Sequence, residues 1–275
     1  MDSFCCPVCG QALIEYEKRF VCVNNHSFDK AKQGYVNLFM SQQSSLKRHG
    51  DDKLMVQSRR DFLKKGYYFR LCEEITSAIN SLSKTGGVLI DVGCGEGYYT
   101  SQIKEKCSFS DVFGIDISKN ALQYAAKDNK EIKFAVASAF SLPFADEFAD
   151  IILNAFAPCA YDEFFRILKK DGFLVKVVPL SEHLWDLKKV LYENPYKNKP
   201  EIKNEELFEL VFSKELKYDI HLNDKRDIFN LFTMTPYYYK TSKDDSEKLF
   251  ELDELVTTVN FAVEIYKRKC KNVRK

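Results

Sequence analysis

The sequence predicts an α/β fold, an open and mainly parallel sheet with helices on both faces, preceded by a small metal-pinned module. Three observations carry this. From residue 86 onward, short apolar strand segments alternate with helical stretches. The first such strand runs into a glycine-rich turn, Asp91-Val-Gly-Cys-Gly-Glu-Gly97. Ahead of all this, four soft ligands stand close together: Cys6-x2-Cys9, twelve further residues, then Cys22-x3-His26. The chain divides into 1–40, a metal-binding module; 41–85, a linker with helices; and 86–275, the α/β domain.

In chain order, the ligand pairs come first. Zinc prefers four tetrahedral ligands, and thiolate sulfur with imidazole nitrogen suits it. A two-residue gap aims Cys6 and Cys9 at one point, with Pro7 and Gly10 supplying the turn. Cys5 is a rival for Cys6. Residues 12–17 and 19–23 alternate well enough for a short hairpin that returns Cys22 and His26 to the same place. Four protein ligands leave no open position, so such a metal is structural, and about thirty residues could not fold without it.

Residues 41–45 (Ser-Gln-Gln-Ser-Ser) are polar, and a helix is expected from about Asp52. Its cations, with Lys47 and Arg48 before it, are candidate phosphate contacts, Arg59 and Arg60 foremost. Val88–Val92 is the first strand of the large sheet, and a helix over Tyr98–Lys106 follows its glycine turn. Val112–Asp116 is the second strand, and Ser118 caps a helix through Lys127. Ile132–Val136, Ala149–Leu153 and Gly172–Val178 supply further strands. Residues 194–206 read as a loop or mobile lid, and Leu255–Tyr266 as a late strand before a basic tail.

Gly93, Gly95 and Gly97 let main-chain N–H groups approach a ligand without a Cβ in the way. Asp116 ends the second strand, where a carboxylate can accept both ribose hydroxyls of an adenosine. Glu96, an acid inside the loop, disfavours a pyrophosphate and suits a cation. The string with Gly114-Ile-Asp116 resembles motifs I and II of class I S-adenosylmethionine (SAM) methyltransferases, and Ser138 with Leu142-Pro-Phe144 resembles the segment bordering the adenine.

Composition sets the remaining bounds. Apolar residues make up 45% of 275, which excludes a disordered chain. No stretch approaches the roughly 20 apolar residues of a membrane helix, and no basic-then-apolar leader is expected. Nine cysteines, three of them in the ligand pattern, form no disulfide framework and point to a reduced, cytoplasmic compartment. The net charge of +1 hides basic ends: residues 1–70 hold 12 Lys+Arg against 7 Asp+Glu, and the last nine hold six cations. Residues 71–266 carry 23 basic and 33 acidic groups. Basic ends around an acidic middle suit a polyanionic partner, RNA above all.

Several segments together resemble the bacterial 23S rRNA (guanine-N1)-methyltransferases of the large-subunit methyltransferase A family. They are the zinc pattern with His26–Leu38, Arg59-Arg-Asp-Phe-Leu63, Gly66-Tyr-Tyr68, Gly95–Thr100, Ala157-Pro-Cys159, His183-Leu-x-x-Leu-Lys188 and Met234-Thr-Pro236. The resemblance implies methylation of guanine N1 in a hairpin loop of 23S rRNA by a homodimer. It implies cofactor contacts at Tyr68, Gly95, Glu96 and His183. Asn154 and the turn at Pro158 follow the fourth strand, where they could orient the target base. No residue identifies itself as the acceptor of the guanine N1 proton. Three other readings stay open: a cytosine-C5 methyltransferase with Cys159 as nucleophile, a small-molecule methyltransferase, and a non-enzymatic zinc RNA-binding protein.

Overall fold

A computed structural model describes residues 4–40, 50–199 and 204–270. Lys47, Arg48, the polar run at 41–45, part of the 194–206 loop and the end of the basic tail lie outside the described residues.

The N-terminal module is a three-stranded antiparallel sheet of β1 (Leu13–Glu15), β2 (Arg19–Cys22) and β3 (Ser27–Asp29). The predicted hairpin is β1–β2, in the register Leu13 to Cys22. A short strand, β4 (Val36–Asn37), follows and leaves the module: it pairs in parallel with β7 (Lys133–Val136) of the large sheet. The boundary at residue 40 therefore falls after a strand that belongs to the α/β domain.

Two helices come next, α1 (Lys53–Lys64) and α2 (Phe69–Ser81). Asp52 caps α1 by accepting from the Leu54 and Met55 N–H groups at 2.8 and 3.0 Å. Both helices bury an apolar stripe against the sheet, with Phe62, Leu71 and Ile75 in its core. Residues 53–81 are thus structural parts of the α/β domain rather than a tether.

The domain continues as β5 (Val88–Val92), α3 (Tyr98–Lys106), β6 (Asp111–Asp116), α4 (Lys119–Asp128), β7, β8 (Ala149–Ala155), α5 (Tyr161–Ile167), β9 (Leu168–Pro179) and α6 (Trp185–Leu191). It closes with β10 (Phe208–Leu222), α7 (Lys225–Thr233), α8 (Tyr237–Lys240), α9 (Lys243–Phe250) and β11 (Leu255–Arg268). The large sheet has the order β10-β11-β9-β8-β5-β6-β7-β4. All neighbours from β4 to β9 are parallel, and β11 lies antiparallel between β9 and β10. Strand order reverses direction between β5 and β8, and this is where an open α/β sheet presents a crevice.

Alternation along the strands divides the core. Leu89, Ile151, Leu153 and Val175 face the layer containing α1 and α2. Ile90, Phe113, Ile152 and Leu174 face the other side, which the metal module covers with Phe4, Leu13 and Phe20. Phe4 joins the two bodies: its ring lies 5.8 Å from Phe20, 5.3 Å from Phe113 and 5.5 Å from Phe144. The Cys5 N–H adds a 2.7 Å bond to the Pro143 carbonyl.

Candidate functional site

The metal centre follows from the hairpin register. Cys6, Cys9, Cys22 and His26 converge, with all four ligand atoms within 4.8 Å of one another. Cys9 Sγ lies 3.7 Å from Cys22 Sγ, and His26 Nδ1 lies 3.5 and 3.4 Å from the sulfurs of Cys6 and Cys22. A tetrahedron around zinc with bonds near 2.3 Å has edges of roughly 3.6–3.8 Å. The donor set and its spacing therefore fit a closed structural zinc site. Cys5 pairs through its backbone with Ala12 and takes no part in the cluster. The Gln11 backbone N–H, bonded to Cys9, holds that thiol down at about 6, on the thiolate side of neutrality.

At the switch point between β5 and β8 a cavity of about 840 Å³ opens. Gly93 has φ +84°, and a Cβ there would sit 2.2 Å from the Ala157 Cβ, so the turns after β5 and β8 touch at this residue. Gly95, at φ +57°, donates its N–H to Asp116 Oδ2 at 2.8 Å, and Ser118 N–H donates to Oδ1 at 2.7 Å. Gly97 begins α3 as its N-cap residue. Beneath the loop, buried Asp91 accepts from Thr100 Oγ1 at 2.5 Å. Burial pushes its carboxyl up to about 7, against the Thr100 bond.

Charge in the cavity is unevenly spread, with the carboxylates gathered at the glycine-loop end. Glu96 is buried and its Oε2 has no hydrogen-bond partner among the described residues. Burial raises its pKa, with nearby Arg59 opposing. Arg59 is the cation among these acids, ion-paired with Asp51 at 2.5 Å and close enough to Glu96 and Asp116 to feel both. Three carboxylates around one guanidinium suit a ligand bearing positive charge, as the sulfonium and ammonium of SAM do. The orphaned Glu96 oxygen and the Gly95–Asp116 cradle fit that cofactor.

Tyr68 and His183 both line this cavity. Tyr68 is a fixed wall rather than a ring free to close: it packs edge-on against Phe62 and Phe261 at 5.2 and 5.1 Å. His183 stacks 4.5 Å from Phe261, and its Nδ1 accepts the Asn260 N–H at 3.3 Å. Burial pushes its pKa down to about 3, so the ring is neutral with its proton on Nε2, a donor toward any ligand.

Two expectations need correction. Arg59 and Arg60 both carry ion pairs within the chain, Arg59 on the cavity wall and Arg60 at the surface. Arg59 faces the cofactor end of the cavity, whereas Arg60 pairs with Asp128 at 2.5 Å and lies over the Tyr124 ring. Asn154 is not among the cavity-lining residues and does not present its amide to a base. It donates to the Val92 carbonyl at 3.2 Å and the Pro158 carbonyl at 3.4 Å, tying the two turns together. Pro158 does line the cavity. Cys159 faces the Tyr161 hydroxyl, which also accepts from buried Lys176 at 2.8 Å.

Sequence reasoning missed the role of Arg59, and also Asp51, Phe156 and Lys176 as cavity residues. The spacing Met55, Arg59, Leu63 puts Arg59 on the apolar face of α1, and that signal was available. Nothing local marks Phe156 or Lys176.

Comparisons with known proteins agree with this geometry. The family model "RlmA, N-terminal", a zinc ribbon, matches residues 4–47, and a methyltransferase-domain model matches 90–176. The chain is 31% identical to the "Putative 23S rRNA (guanine-N(1)-)-methyltransferase YxjB" of Bacillus subtilis, over 94% of this chain and 95% of the relative. It is 33% identical to the 23S rRNA (guanine(748)-N1)-methyltransferase of Streptomyces fradiae, over 66% and 65% of the two chains. Among solved structures, the YcgJ protein of Bacillus subtilis aligns with a TM-score of 0.52 at 15% identity, covering 73% of this chain and 99% of that one. That likeness concerns the fold, which is the class I SAM methyltransferase fold behind an N-terminal zinc ribbon.

Proposed function

Since the chain belongs to the 23S rRNA (guanine-N1)-methyltransferase family, we propose that it transfers the methyl group of SAM to N1 of a guanine in a 23S rRNA hairpin loop. The observation that carries this is the alignment with YxjB over 94% of the chain, spanning zinc ribbon and cofactor fold together.

When bound, SAM supplies an electrophilic methyl group on sulfur, and the protein contributes position and charge. Gly93 and Gly95 admit the cofactor to the main chain, Asp116 receives the ribose, and Glu96 with its spare oxygen faces the positive charge. Arg59 opposes the burial that raises the Glu96 carboxyl and is itself held by Asp51. Tyr68 and neutral His183 close the wall on the β11 side, the imidazole donating from Nε2. Asn154 holds Pro158 against the loop after β5, which fixes the floor on which the base edge rests. The guanine N1 proton leaves before or during attack.

RNA contact falls to the zinc ribbon, where Lys18, Arg19, Lys32 and Tyr16 are exposed, together with the cations of 41–49. The working unit is a homodimer in the cytoplasm; none of the nine cysteines is in a disulfide, as a reducing compartment requires. Cys159 faces Tyr161 and does not line the cavity, which disfavours the cytosine-C5 alternative. The test is direct. Purified protein, SAM and unmodified 23S rRNA should yield 1-methylguanosine in one rRNA fragment by mass spectrometry. Methylation of a cytosine, or of small molecules only, sinks the reading.

A further inference from the structure

We propose that Phe156 is the ring against which the target guanine stacks. The role rests on the substrate reading above but is carried by a separate observation. Phe156 follows the last residue of β8 with φ +59°, a left-handed backbone that a bulky aromatic side chain rarely adopts. Glycine or asparagine is the ordinary occupant of such a position, so the ring is retained at a conformational cost. That cost is not recovered by burial. Phe156 is 45% exposed although it lines the cavity and is flanked by packed rings, whereas Tyr68 on the same wall is buried. The exposed rings Phe140 and Tyr196 have ordinary negative-φ backbones.

The backbone around it is tightly set. The Phe156 N–H donates to the Val177 carbonyl at 3.3 Å, extending the β8–β9 ladder by one bond. The next residue, Ala157, is pressed against Gly93. One side of the ring is supported by Phe261 at 5.4 Å and Tyr99 at 6.5 Å, and the remainder faces the cavity.

Position assigns the ligand. Asp116 and Ser138 mark the adenosine end, at the tips of β6 and β7. Phe156 stands across the glycine loop, at the tip of β8, on the far side of the strand-order reversal. A ring there meets the methyl acceptor, not the adenine. The acceptor is a purine that must leave its stack, and an aromatic face replaces the lost stacking.

The experiment compares F156G, F156Y and wild type for SAM binding, rRNA binding in the presence of S-adenosylhomocysteine, and turnover. Glycine suits the left-handed backbone, so F156G should fold and hold SAM within about twofold. Loss of one base stack corresponds to about a ten- to hundred-fold fall in turnover at subsaturating rRNA. F156Y, which keeps the ring, should stay within about threefold of wild type. Full turnover by F156G overturns the proposal, as does a parallel loss of SAM affinity, which would make the ring a cofactor wall. Should F156G fail to fold, F156L keeps apolar bulk without an aromatic face, and its full activity overturns the role equally. Wild-type protein inert on 23S rRNA fails at the substrate reading and removes this role with it.

Discussion

The zinc ribbon and the cofactor cavity are both clusters of polar groups held by tight turns, yet they solve opposite problems. In the ribbon, four ligands satisfy one another around a metal and leave no position open. The cofactor end of the cavity gathers three carboxylates around one guanidinium, with a Glu96 oxygen that finds no hydrogen-bond partner among the described residues. The first arrangement stabilises a segment too small to bury a core. The second tolerates local cost so that a charged ligand is welcome. Saturated coordination builds structure, and unsaturated charge builds a binding site.

Breaking the ribbon should have the largest effect. C22S removes a buried ligand, and structural zinc contributes on the order of 10 kcal/mol to folding such modules. Near-stoichiometric zinc should be lost by elemental analysis, and residues 13–29 should lose amide protection, while β4 keeps its pairing with β7 and the cofactor fold keeps SAM affinity. Loss of both together would show that the regions are not distinct.

Cutting the joint comes next. F4A leaves a cavity where three rings meet, at a cost of about 3–5 kcal/mol. Denaturant unfolding of the zinc-loaded protein should report it, with zinc still bound.

A pH test then probes the cavity's stored cost. Asp91 has its carboxyl raised by burial to about 7, from the ordinary carboxylate value of 3.8. The unfolded carboxyl ionises first as pH rises, so this group makes stability fall between those values and level off above about 7. D91N removes that slope. It should therefore be more stable than wild type at pH 8, by at most about 4 kcal/mol at 1.36 kcal/mol per unit, with the gap closing toward pH 4. A gap that widens on acidification would refute the account.

The smallest effect sharpens the charge argument. E96Q keeps the shape and deletes one negative charge facing the ligand, so SAM affinity should fall about tenfold, or 1.4 kcal/mol. The apo protein should be no less stable. Calorimetry and thermal melts together decide it, since a purely structural Glu96 would lower stability and spare affinity.

Legibility tracked how local each feature was. The run from Val88 to Lys127 was readable because apolar strands, glycine turn and Ser118 cap follow one another without long-range help. The four zinc ligands declared themselves by spacing. By contrast, β10 was missed although Glu215–Leu222 alternates polar and apolar residues, because its first half is exposed, apolar at Leu210–Phe212, and gains its order from pairing with β11. Residues 225–250 form three helices whose stripes make sense only against α1, α6 and β10. Arg59 was taken for a surface cation because arginine usually is one. Its place beside Asp51 is local, but its approach to Glu96 and Asp116 depends on loops 37 and 57 residues away in the chain. Asn154 was placed near the right turn, but its amide bonds to two carbonyls could not be foreseen from a single chain.

The parallel pairing of Val36–Asn37 with Ala135–Val136 bears on how this protein can be dissected. Excising residues 1–40 to isolate a catalytic core would strip the rim of its partner strand and leave Phe113 unroofed. An inactive fragment would then report a damaged scaffold instead of a missing RNA grip, and only ligand-by-ligand surgery on the ribbon can tell those apart.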